Sequence, residues 1–202
     1  MRDKFEKLKT LGDILYIDAK YYTGDNFTGV QLPGYLSDNL VLEKNAFLAL
    51  KNAYIELRKM NLTFKIFDAY RPIKSIEFFY KWSTNGIENL ELKKRFYPDL
   101  NKESLFKEGF IAMYSSHARG AAIDLSLCDL NGIELDMGTE FDYFGKKSYT
   151  KNSLIDKTQQ KNRDLLLQVM ENAGFVNFEQ EWWHFKFKNE TFPETYFDFD
   201  II

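Results

Sequence analysis

Cysteine is almost missing from this 202-residue chain, with Cys128 the single example. One thiol excludes an internal disulfide framework, and it disfavours a closed structural zinc site built on several thiolates. Histidine is nearly as scarce, at two residues, and proline numbers four. No stretch approaches the roughly 20 apolar residues of a membrane span. Residues 1–8 are charged and carry no apolar run of the signal-peptide kind, so the expected location is cytoplasmic, or periplasmic if an export signal has been removed. An excess of one charge is lacking too: 27 Lys and Arg face 30 Asp and Glu, for a formal charge of −3. That balance leaves no basic stripe for nucleic acid. With no repeat, low-complexity tract or linker, residues 1–202 read as one domain, long enough to bury its own core. The oligomeric state stays open.

What is present is apolar and aromatic, 45% and 17% of residues, and the two histidines fall in telling places. His117 lies in Ser115-Ser116-His117-Ala118-Arg119-Gly120-Ala121-Ala122-Ile123-Asp124, and His184 closes Glu181-Trp182-Trp183-His184. A lone histidine is more often a core or surface group than a ligand. Here each has an acid at a spacing that can be rationalised. Two imidazoles and a carboxylate, His117, His184 and Asp124, make an open three-ligand zinc site, and a nearby Glu181 is what such a site needs for hydrolysis. Glu181 could alternatively be a fourth ligand, and iron or another metal could replace zinc.

Periodicity predicts helices over 41–60, 73–82 and 159–173. Strands are expected over 13–18, around Phe64 and Ile66, from 175 to 179 and from 182 to 187. In 123–128 the residues Ile123, Leu125 and Leu127 alternate with Asp124, Ser126 and Cys128, which turns Asp124 toward the site from a strand with one apolar face. Asn131-Gly132 marks a hairpin turn. Residues 21–35 read as loop, and 143–158 as a polar, mobile loop. Alternation places Trp182 with His184 on one face of the last strand and Trp183 on the other. Arg71 stands at a strand end beside Pro72, either as a surface cation, as a partner of Asp68, or as a directed donor. Four acids crowd residues 134–142, and each alone would be read as solvated.

The pattern Ser-x-His-x-x-Gly-x-Ala-x-Asp, followed by Glu-x-Trp-His, resembles the zinc D-Ala-D-Ala peptidases, which share a fold with Hedgehog signalling domains. Further segments resemble the D-alanyl-D-alanine dipeptidases of the vancomycin-resistance type: Asp18-Ala19-Lys20-Tyr21, Asp25-Asn26-Phe27-Thr28-Gly29, Asp68-x-Tyr70-Arg71-Pro72, Met137-Gly138-x-x-Phe141-Asp142 and Tyr196-Phe197-Asp198-Phe199. The resemblance runs in order from about Tyr16 to the C-terminus.

It implies an α+β fold, with a central antiparallel sheet flanked by three main helices and one zinc on a face of the sheet. It also implies hydrolysis of a small dipeptide, with Glu181 as general base and Arg71 stabilising the oxyanion. Asp142 would anchor the free ammonium. Ser115, Tyr21 and Tyr35 would line the pocket, and Trp182 and Trp183 are candidate walls. Two rivals remain: a cell-wall carboxypeptidase or endopeptidase on the same scaffold, and a metal-binding module without catalysis. Retention of Glu181 and Arg71 weighs against the second.

Overall fold

The computed structural model describes residues 2–202. Among the described residues there are seven strands: β1 (Phe5–Lys7), β2 (Tyr16–Ile17), β3 (Val41–Glu43), β4 (Leu62–Asp68), β5 (Ala122–Asp129), β6 (Phe175–Phe178) and β7 (Glu181–Phe187). Six α-helices accompany them: α1 (Lys20–Thr23), α2 (Lys44–Lys59), α3 (Ile73–Thr84), α4 (Leu90–Phe96), α5 (Lys102–Lys107) and α6 (Lys157–Asn172).

The main sheet has the order β2-β4-β5-β7-β6, antiparallel except for the edge pair β2–β4, which is parallel. A small second sheet pairs β1 with β3. The fold is α+β as expected, the parallel edge being its one departure from an antiparallel sheet.

Two of the three long helices start where a local side chain takes up their orphan N–H groups, and the third, α3, bonds its first N–H groups to Phe197 O and Asp198 Oδ1 of the C-terminal segment. Residues 41–43, expected to be helical, form a strand instead, because Glu43 caps α2: its carboxylate accepts from the N–H groups of Asn45 and Ala46. Asp156 and Gln159 form a reciprocal capping box on α6. Pro72 precedes the first turn of α3 and supplies no N–H that would need a partner. The mixed stretch 83–112 contains the short α4 and α5, each capped by an asparagine side chain, Asn89 and Asn101.

The sheet carries two unlike faces. Phe64 pairs with Leu127 and Ile66 with Leu125, and all four are fully buried. Together with Ile123 and Phe185 they form an apolar face, with α2 packed on β4, and α6 packed on β5, β6, β7 and α2. The other face carries the polar members of the same strands. It too is covered: β5 is buried along Ala122–Cys128, Ser126 and Cys128 included, so its polar side does not meet solvent as an alternating strand would suggest. The C-terminal residues Phe197 and Phe199 return to pack on Phe5, and Phe199 stacks on Tyr70. Among the described residues no helix is long and apolar enough to cross a membrane.

Candidate active site

Strand register assembles the charged groups. Asp68 on β4 pairs with Asp124 on β5, and Asp124 pairs with His184 on β7, so three polar side chains stand abreast on one face. A shift in the β4–β5 register between Ile66 and Asp68 turns Asp68 to that side.

His117 reaches the group from a 3₁₀ turn, Ser116–Arg119, that precedes β5. Ser115 caps this turn, its Oγ accepting from His117 N–H at 3.2 Å. Gly120 ends it at φ 72°, with its Cα against the Phe5 ring, where a Cβ would lie 2.3 Å from Phe5 Cε1. Both the left-handed backbone and the close approach require glycine.

The two imidazoles and Asp124 converge. His117 Nε2 lies 3.1 Å from His184 Nδ1 and 3.3 Å from Asp124 Oδ2, while His184 Nδ1 lies 2.9 Å from Asp124 Oδ1. Among the described residues, one ligand atom from each of these three comes within 4.8 Å of the other two.

His117 Nδ1–H donates to the Ala69 carbonyl at 2.5 Å, which fixes the tautomer and leaves the Nε2 lone pair directed into the cluster. The donor set is the borderline nitrogen–oxygen set that suits zinc. The charge balance suits it as well. Asp68, Asp124, Asp142 and Glu181 are all buried around the cavity, and Arg71 is the cation among them. The residues present therefore fit a divalent metal.

These groups shift one another. Burial alone would raise the pKa of Asp124, but His117 and then His184 outweigh it and hold the carboxylate well below its ordinary range. Burial lowers His184, favouring the neutral imidazole that a metal requires. Burial, followed by the charges of Asp124 and Asp142, holds Glu181 well above the ordinary carboxyl range. Asp142 is raised in the same way by burial and by Asp124.

Arg71 is the partner of Asp68 that the sequence allowed, and not a surface cation. Its Nε donates to Asp68 Oδ2 at 2.9 Å and its Nη2 to Asp124 Oδ2 at 3.3 Å, with the guanidinium over the Tyr21 ring at 4.8 Å. It also lines the cavity with His117, Asp124, Asp142, Glu181 and His184. The Arg71 backbone N–H donates to the His117 carbonyl, so donor and cluster are tied together. Glu181 lines the same cavity but stands outside the three-residue ligand group.

Tyr21 and Ser115 line the cavity as expected, and Tyr21 Oη donates to Asp142 at 3.0 and 3.2 Å. Asp142 holds φ 62°, a left-handed conformation uncommon for a residue with a side chain.

Two expected wall residues lie elsewhere. Tyr35 stands behind the site, fully buried, donating to Asp68 Oδ1 at 2.5 Å, so it braces the acid that holds Arg71. Trp182 is buried away from the cavity, its Nε1 donating to Thr139 Oγ1 at 2.8 Å. Trp183, the other candidate wall, does line the cavity. The alternation rule fails because β7 is irregular at its start. Asn177 Nδ2 donates to the carbonyls of both Glu181 and His184, and the β6–β7 register shifts between Asn177 and Phe178. Residues three apart thus reach one cavity.

That cavity holds about 210 Å³, below the roughly 300–1,000 Å³ of sites for drug-sized ligands. Its aromatic walls include Phe79, Phe110, Phe144 and Phe178, none of them foreseen, since single aromatics in loops and helices carry no positional signal.

The family model of M15 peptidases described as D-Ala-D-Ala dipeptidase matches residues 1–202. The chain is similar to the D-alanyl-D-alanine dipeptidase of Enterococcus faecalis, at 37% identity over 91% of each chain. It is 36% identical to that of Streptomyces coelicolor and 35% identical to that of Enterococcus faecium, again over 91% of each.

Proposed function

The chain belongs to the D-Ala-D-Ala dipeptidase family of M15 peptidases, and from that premise we propose that it hydrolyses the free dipeptide D-Ala-D-Ala to two molecules of D-alanine. The observation that carries this reading is the buried Asp142 carboxylate, which opens into the same small cavity as the His117–Asp124–His184 cluster. A free dipeptide brings an ammonium to neutralise Asp142. A longer peptide brings only an uncharged amide.

His117, Asp124 and His184 would hold zinc. When bound, zinc supplies Lewis acidity, lowering the pKa of water toward about 7 and polarising a carbonyl. Glu181 takes the proton of the attacking water and passes it to the leaving amine. Its buried, acid-flanked position strengthens it as a base once it is ionised. Arg71 donates to the oxygen on which negative charge develops, and Asp68 and Tyr35 hold its guanidinium in place. Tyr21, kept protonated by burial and by Asp142, and Ser115 complete the pocket for the amino end.

The test is incubation of zinc-loaded protein with D-Ala-D-Ala, L-Ala-L-Ala and a pentapeptide ending in D-Ala-D-Ala. The expected result is cleavage of the first. For the pentapeptide, kcat/KM should be at least about a hundredfold lower, because stripping one partner from a buried charge pair costs on the order of 3–5 kcal/mol. Equal kcat/KM for dipeptide and pentapeptide would replace this reading with a carboxypeptidase.

A further inference from the structure

Arg163, on α6, is the most completely buried cation in the chain, at 1% exposure. It forms no ion pair within 4 Å among the described residues, which is unusual for a buried charge, since an isolated cation is costly to take out of water. Burial draws its pKa down to about 10, opposed only weakly by Asp136. Its hydrogen bonds go to main-chain carbonyls. Nε donates to Met137 at 2.7 Å, and Nη1 donates to Lys147 at 2.9 Å and Tyr149 at 2.6 Å. The guanidinium also sits over the Trp182 ring at 5.7 Å.

These acceptors bracket one segment. Met137 lies just before, and Lys147 and Tyr149 just after, the left-handed Asp142. A second tie acts on the same segment from β7, the bond from Trp182 Nε1 to Thr139 Oγ1. Residues 143–158, read from sequence as a mobile polar loop, are thereby pinned. Ser148 Oγ donates to Gln180 O, and Thr150 N–H donates to Glu179 O. A left-handed aspartate persists only where its surroundings over-determine it. Arg163 grips both sides of it, and Trp182 adds a second hold on the N-terminal side.

We propose that Arg163 is a positioning residue for substrate recognition: by gripping both ends of residues 137–149 it sets the Asp142 carboxylate against Tyr21, where it meets the ammonium of the dipeptide. This rests on the reading of Asp142 as the ammonium anchor. Arg163 touches no substrate, so its loss acts on binding rather than on proton transfer.

The experiment is steady-state kinetics on D-Ala-D-Ala for Arg163→Gln, Thr139→Val and Asp142→Asn, singly and with Arg163→Gln combined with Asp142→Asn, together with zinc content and thermal midpoint. Arg163→Gln should raise KM between roughly tenfold and a hundredfold, the scale of a misplaced binding group. Its kcat and zinc content should be little changed. Thr139→Val, which removes one hydroxyl and keeps the fold's volume, should raise KM in the same direction by less. The double variant should be no worse than Asp142→Asn, because two residues acting through one contact are not additive.

A fall in kcat or zinc content with KM unchanged would overturn the positioning role and leave Arg163 a purely structural residue. So would additive effects in the double variant. If Arg163→Gln does not fold, Arg163→Lys decides: it keeps the charge but lacks the fork that reaches the Met137, Lys147 and Tyr149 carbonyls together, and an unmoved KM there overturns the inference. A raised KM in Asp142→Asn with neither other variant affected refutes the role of Arg163 and keeps the anchor. An unmoved KM in Asp142→Asn refutes the anchor itself.

Discussion

The two faces of the central sheet are made from the same strands and obey opposite rules. On the helix side, Phe64, Ile66, Leu125 and Leu127 meet α2 and α6, and every group is apolar and fully buried. On the cavity side, the neighbours of those residues are polar: Asp68 and Asp124, just as deeply placed, and His184, half-buried at the cavity. The first face stabilises the fold by removing apolar area from water. The second gathers carboxylates whose mutual repulsion and burial oppose folding, and it is tolerable because Arg71 engages Asp68 and Asp124, Tyr35 engages Asp68 and Tyr21 engages Asp142. One face supplies the rigidity that the other needs to hold strained chemistry in register.

Three substitutions would break or sharpen that contrast. The largest effect is expected on the cavity side. Glu181→Ala should lower kcat by about 10²–10⁴-fold, the span of general acid–base catalysis, while zinc content stays at one per chain. Zinc lost together with activity would make Glu181 a ligand, which metal analysis of the purified variant would reveal.

Next comes the helix side. Leu127→Ala should cost about 2–5 kcal/mol of stability through lost burial and a residual cavity, leaving turnover per folded molecule unaltered. Chemical denaturation and active-site titration read the two quantities separately. A variant as stable as the parent but slower would show that the faces are not independent.

The smallest effect belongs to the surface, where neither rule holds. Asp25 is held at a pKa of about 2 by Arg95 and Lys20, but its side chain is 45% exposed. Since the folded value lies below the ordinary 3.8, its contribution is complete above that pH and is lost as pH falls toward 2. Solvent screening limits it to less than about 1 kcal/mol. Asp25→Asn should therefore destabilise slightly at pH 7, by a margin that shrinks in acid and in high salt. A loss that stayed constant down to pH 2 would mean that the ion pair is not its source.

Much of this was legible in the residues. The scarcity of histidine made both imidazoles conspicuous, and the apolar periodicity of α2, α3 and α6 located the long helices to within a few residues. Alternation in β5 placed Asp124 on the site face correctly, because that strand is regular where it pairs with β7. The same rule misassigned Trp182 and Trp183, because Asn177 draws two carbonyls of β7 together and no local pattern announces a contact made from a neighbouring strand. Residues 143–158 looked mobile because they are polar and lack periodicity. Their order comes from Arg163, whose surface-like chemistry gave no hint of burial, and from the carbonyls of Glu179 and Gln180.

The chain by itself determined which chemistry is possible: two imidazoles, one aligned aspartate, one spare glutamate and a directed arginine are properties of composition and spacing. It also carried the caps of α2 and α6, since capping there is chemistry between residues two or three apart, whereas the first N–H groups of α3 bond to Phe197 and Asp198. Only the tertiary structure decided which carboxylates share the cavity, and that Tyr35 braces Asp68 from behind the pocket. It alone set Asp142, in a strained backbone, against Tyr21. Those outcomes depend on strand register and on hydrogen bonds between residues up to 121 positions apart, and local sequence carries no record of a partner that arrives only when the chain has closed.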